Sequence, residues 1–283
     1  MAVSSKNYFS NSVQGVPQIA GDVDLFANDA NPKFTIGYKL ETADGRVFRY
    51  SHFGAAVTYA GTVVSPDVSE SASVESGLVV VAPASSAITT DSTAGYKNIE
   101  ITEPAITKNQ YAGGYLTVIA GTGRGYTYRI KGNTVCGLPD GPASGTMRLE
   151  LHDKLQASLT ADSSVNVIAS KYANLESALV GTDEVPVGVT TRGMNANYYG
   201  WVQTKGVAAV SVNTTTTCAI GDILVLSAVL GTGLAGTVAT MGQYTTSAAE
   251  HNEYVTEPLV GTCIQTVTNA ANGCYVGANL MLE

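Results

Sequence analysis

The side chains able to do chemistry in this chain are few and scattered. His52, His152 and His251 lie far apart in sequence. Each could meet a distant serine, cysteine or carboxylate in a folded triad, which is recognised by geometry rather than by chain position. Neither a Gly-x-Ser-x-Gly elbow nor a His-Glu-x-x-His pair occurs, so no hydrolase is expected. Asp22, Asp24, Asp29, Asp140 and the pair Asp183-Glu184 offer oxygens to a hard cation, but not at the spacing of a calcium loop. A glycosidase pair of carboxylates is left unconstrained by sequence, because its two members need not be close along the chain. Cys136, Cys218, Cys263 and Cys274 include no Cys-x-x-Cys pair, so zinc and redox motifs are absent. Reduced, buried thiols are expected, with Cys263 and Cys274, which flank a turn, the one pair placed for a bridge. Gly121-Thr122-Gly123-Arg124-Gly125 comes nearest to a phosphate loop. It lacks the Gly-Lys-Ser/Thr ending, and a tyrosine-rich strand follows where a phosphate site needs a helix N-terminus. A hairpin turn is the expectation. Arg46 and Arg49 suggest an anion site, but on an alternating strand they read as solvated edge charges. The chain is therefore read as no enzyme, with no catalytic, cofactor or metal residue assigned.

Composition sharpens that reading. Of 283 residues, charged ones make up 13% and hydrophobic ones 45%, with 30 glycines; the usual charged share is roughly 25%. A chain so poor in charge hides much of its surface or presents a neutral one, which points to assembly with copies of itself or a partner. The net charge is −8 and the 15 basic residues form no cluster, against nucleic-acid binding. Met1 to Lys6 lacks the apolar stretch of an export signal. No apolar run is long enough to span a membrane.

The elements that must position any site are strands. Lys33 to Leu40 and Arg46 to Tyr50 alternate around Asp44-Gly45, a tight-turn pair. Ile99 to Thr102, Gly114 to Ile119, Tyr126 to Lys131, Thr146 to Leu151 and Ser164 to Ile168 continue the pattern. Leu78 to Val81 is a continuous apolar run, and Leu155 to Leu159 a short turn or helix. The strongest stretch is Tyr198-Tyr199-Gly200-Trp201-Val202-Gln203, running on through Gly206 to Val212. It holds the only tryptophan, and aromatic and β-branched residues fit a pleated, half-buried surface. Short strands with turn signals every ten or so residues predict an all-β fold: short-stranded antiparallel sandwich or barrel modules with an extended N-terminal arm. The expected division is an arm over 1–32, an N-terminal β region over 33–110, a central β module over 111–195 and a C-terminal β module over 196–283. In the arm, Tyr8, Phe9, Ile19 and Phe26 are the apolar points, read either as a loose terminus or as pegs for inter-subunit contact.

Three stretches together carry a resemblance: Phe34 to Tyr50, Tyr111 to Asn133 and Tyr198 to Gly206. In that order the chain resembles the capsid decoration, or cement, proteins of tailed bacteriophages. The resemblance implies a structural virion protein, assembled in the host cytoplasm and placed on the capsid exterior. It would act as a homotrimer that binds the major capsid protein and stabilises the lattice. No nucleic-acid or membrane partner and no cofactor is implied. The alternative is a tail, fibre or other minor virion component with a receptor- or glycan-binding role. A secreted carbohydrate-binding or hydrolytic β-sandwich is the rival from another class.

Overall fold

The computed structural model describes residues 23–66, 74–79, 94–102, 108–134, 146–160, 162–178, 185–213, 217–227, 235–241, 258–267 and 274–283; for residues 74–79, 102 and 146 it describes the backbone alone. The described residues are all-β, without a helix. The strands are β1 (Lys39–Glu41), β2 (Val47–Phe53), β3 (Val63–Pro66), β4 (Val74–Val79), β5 (Asn98–Thr102), β6 (Tyr115–Ala120), β7 (Thr127–Asn133) and β8 (Thr146–Leu151). They continue as β9 (Ser164–Ile168), β10 (Leu175–Ser177), β11 (Gly188–Thr190), β12 (Tyr198–Ser211), β13 (Ile223–Leu226), β14 (Val238–Thr240), β15 (Leu259–Cys263) and β16 (Tyr275–Met281).

The chain divides into two compact units, Met1–Val68 with Tyr172–Glu283, and Ser69–Lys171. The second is an insertion in the first. Its points of departure and return are held together, because Leu175 at the start of β10 pairs with Pro66 at the end of β3. This division differs from four consecutive segments. The strands expected in one region over 33–110 fall to both units, β1 to β3 in the first and β4 and β5 in the second. Contacts that define a unit are made across sheets, and sequence adjacency does not set them.

In the first unit the strand order is β1-β2-β10-β3-β11-β12-β16-β15-β13-β14, and β2 also pairs with β12, which closes a barrel through β2, β10, β3, β11 and β12. Pairing is antiparallel except between β10 and β2. The 14-residue strand β12 is the shared stave. Its first half pairs with β2 and its second half with β16. The change of partner falls at a bulge between Gln203 and Lys205, where the extra residue bends the strand. Gly206 completes the bend with φ +85°, a backbone conformation open to glycine. The Gln203 amide holds it, its Nε2 donating to the carbonyls of Lys205 (3.1 Å) and Val207 (2.9 Å).

Trp201 is buried opposite Tyr50 on β2. Tyr50 lies edge-on to it at 5.2 Å, Phe34 sits 5.3 Å away and Tyr38 6.4 Å away. Aromatic pairs in such geometries add about 0.5–1.5 kcal/mol each beyond area burial. Phe34 and Tyr38 stack on each other at 5.6 Å, so both rings must face the same way. An alternating strand over Lys33 to Leu40 would leave them on one face but too far apart to stack. The segment instead turns at Gly37, whose N–H donates to the Tyr50 carbonyl, and only Lys39–Glu41 is strand.

The second unit is a six-stranded sheet in the order β4-β9-β6-β7-β8-β5. Its period-2 pattern sends Leu116, Val118, Tyr128, Ile130, Met147, Leu149, Val165 and Val167 to one buried face. Leu155 and Leu159, without helix between them, cover that face.

Candidate functional site

Of the four apolar points expected for contact, Tyr8, Phe9 and Ile19 lie outside the described residues. Phe26 is described, and its ring is 61% exposed. It stands on a turn closed by Ala27 N–H to the Asp24 carbonyl, and the Asp24 carboxylate accepts its own N–H at 2.8 Å. The turn is laid on β12 by paired hydrogen bonds between Asp29 and Tyr199 (2.9 and 2.8 Å). Residues 23–29 are therefore held against the barrel, with Ala27 buried and Val23 and Leu25 packed against the aromatic core.

Phe26 forms the rim of an open groove of about 590 Å³. Its floor is the bridge between Val57 and Met194, and its walls include Asn28, Thr58 and Arg192. The Arg192 guanidinium is committed to main chain, donating to the carbonyls of Phe26 (3.0 Å) and Gly193 (3.1 Å). The Thr191 hydroxyl ties down the Leu25 carbonyl at 2.7 Å. Apolar side chains flanked by amides suit contact with another chain. The lining holds no nucleophile beside a base. Sequence reasoning found Phe26 but missed Arg192 and Thr191, whose residue types are ordinary for a loop.

Among the described residues, the two histidines belong to different units. His52 lies 4.8 Å from the Tyr199 ring, and burial pushes its pKa below the ordinary histidine value. His152 belongs to the second unit, where burial first and the Arg129 charge next also push its pKa down. His251 lies outside the described residues, as do Asp22, Asp140, Asp183, Glu184 and Cys136. Asp29 pairs with Lys33 at 2.8 Å. Among the described residues no group of three or more His, Cys, Asp or Glu is arranged to hold a metal. Arg46 bonds the Asp44 carboxylate at 2.7 Å and overlies Phe48. Arg49 bonds the Glu283 side chain at 2.7 Å and overlies Tyr172. Both cations are engaged within the chain. The glycine-rich stretch turns β6 into β7, with Gly121, Gly123 and Gly125 all at positive φ.

Cys218, Cys263 and Cys274 are free thiols. Cys218 lies beside Cys263. Burial, and then the neighbouring Cys263, push the Cys218 thiol up to about 12. A thiol so far from ionising is a weak nucleophile.

No known protein family, curated protein or solved structure matches this chain. Among the described residues no helix is long and apolar enough to cross a membrane.

Proposed function

We propose that this chain is a structural virion protein, a capsid decoration protein that binds the outside of a tailed-bacteriophage head and stabilises the major capsid lattice. The observation that carries the reading is where the resembling stretches lie. Phe34 to Tyr50 and Tyr198 to Gly206 are neighbours in the fold, joined by the β2–β12 pairing that sets Trp201 against Tyr50. Tyr111 to Asn133 holds the β6–β7 hairpin of the second unit, where the Tyr111 N–H donates to the Asn133 side chain at 2.9 Å. The likeness thus falls on the residues that build each unit's core.

The physics suits a clamp. A closed barrel leaves few strand edges open to wrong pairing. A protein that binds the mature lattice and not its precursor stabilises the mature state by mass action. Several linked contacts per assembly raise avidity steeply. The Phe26 rim and its groove offer one such contact, of apolar type with amide neighbours.

The test is the copy number of this chain in purified virions of the phage that encodes it, relative to the major capsid protein, by quantitative mass spectrometry. Near-equal copies are expected. A few copies per particle would move the chain to a vertex or the tail, and absence from the virion would overturn the reading.

A further inference from the structure

The outer wall formed by the second half of β12 with β16, β15, β13 and the residue after β14 carries exposed apolar side chains, with Asn279 and Thr262 as polar residues between them. Register places Val207 opposite Asn279, Asn279 opposite Thr262, and Thr262 opposite Ile223. Met241, whose N–H donates to the Ile223 carbonyl, ends the row. Directly opposed residues on antiparallel strands share a face, so this row crosses five strands on one surface. Val207 is 55% exposed, Ile223 41% and Met241 50%. Two residues further along β16, Met281 is 55% exposed, opposite Lys205. In the other direction Ile264 lies over Gly277, and it too is exposed.

Charge separates this wall from the others. None of the seven ion pairs among the described residues involves the row from Val207 to Met241. Two of them, Lys131–Glu150 and Arg148–Glu100, sit on the solvent face of the second unit's sheet, as expected for a face that stays wet. The other five join residues of 29–49 with one another or with Glu283. Among the described residues, the charged groups bordering the wall are Lys205, Asp222 and Glu283. Asp222 accepts the Ala219 N–H and Glu283 is taken by Arg49 and Lys39, so these two are already partnered.

We infer that this wall is the surface by which the chain associates with further copies of itself. A chain of net charge −8 repels its copies except where a face carries no charge of that sign, and the row from Val207 to Met241 is such a face. A basic partner would call for carboxylates here, and none lies in the row. With strands about 4.8 Å apart and about 3.3 Å per residue, the wall measures roughly 20 by 20 Å. That is about half of the ~800 Å² that one side of a stable interface hides, which leaves the remainder to a polar rim around it. The low charge content of the whole chain has its counterpart in this surface. The inference concerns the isolated chain and does not depend on the virion reading.

The test is sedimentation velocity of the full chain across a concentration series, with Val207→Glu/Ile223→Glu as the variant. Wild type is expected to form a defined multimer. The double variant is expected to sediment as a monomer or to associate at least tenfold more weakly, with an unchanged far-UV spectrum. Thr117→Glu, on the second unit's sheet, is expected to leave the multimer intact. If the double variant does not fold, Met281→Glu gives the same reading from the end of the wall. A monomeric wild type at all soluble concentrations would overturn the inference, as would a multimer that survives these substitutions. A monomeric chain whose binding to heads is lost in the double variant would assign the wall to the shell instead of to a second copy.

Discussion

His52 shows how a single side chain in this protein responds to its surroundings. It sits against Tyr199, and burial pushes its pKa below the ordinary value of 6.5. In the range between the lowered value and 6.5, the unfolded chain binds a proton that the folded chain does not. The proton number of the unfolded state is then the larger, so stability rises with pH across that range. The contribution of neutral His52 is complete above about 6.5 and is lost as pH falls toward its lowered value. His152 is shifted in the same direction and adds to the slope. The melting temperature is therefore expected to fall on acidification from pH 7 to pH 5, and His52→Gln to flatten that dependence without removing it. Parallel pH profiles for wild type and His52→Gln would sink this account. His52 was legible in sequence as a histidine after a strand. Its burial was not, because the ring that covers it is carried by a strand some 150 residues later in the chain.

At the scale of elements, β12 decides most of the architecture. Its aromatic and β-branched residues marked it as a core strand, and it is one. What pattern alone did not show is the division of its length between two partners at the Gln203–Lys205 bulge. Gly200 has a separate role. A Cβ there would stand 2.7 Å from the Ala27 carbonyl and would also collide with the Met194 methyl. Lack of a side chain at this point is what lets residues 27–29 lie on the strand. Gly200→Val is expected to cost about 1–3 kcal/mol, the range for overpacking. It is also expected to speed hydrogen exchange at the Asp29 and Tyr199 amides, which bond each other's strands. Unchanged exchange at both amides, measured by NMR, would count against this role. The Phe26 groove rests on the same contact, so its rim is expected to loosen in this variant.

At the scale of the whole molecule, the inserted unit begins and ends at neighbouring points of the barrel. The pairing of Leu175 with Pro66 puts these Cα atoms about 4.5–5.5 Å apart, a gap that a few residues can span. Among the described residues, the core of the second unit draws on Ile99 to Val167 with Ala169 packed against it, and the first unit's clusters use none of these residues. Replacing residues 69–171 by a short Gly/Ser linker is expected to leave a β-rich protein with a single cooperative thermal transition, followed by circular dichroism. A product without a cooperative transition would show that the barrel needs its insert.

The sequence by itself determined the all-β class, the hairpin turn at Gly121 to Gly125, the alternation that buries one face of the second sheet, and the central place of Trp201. These follow from local rules: period-2 burial, turn chemistry, and the area an aromatic ring must hide. Tertiary structure decided the rest. It made one unit an insertion in another, closed the barrel through β2 and β12, set Cys218 beside Cys263, and fixed Phe26 on the rim of a groove. It also gathered Val207, Ile223, Met241 and Met281 onto one wall, whose row from Val207 to Met241 carries no charge. Each of these outcomes joins residues far apart along the chain. Sequence periodicity reports which face of a strand is apolar, but it does not report which strand lies next to it.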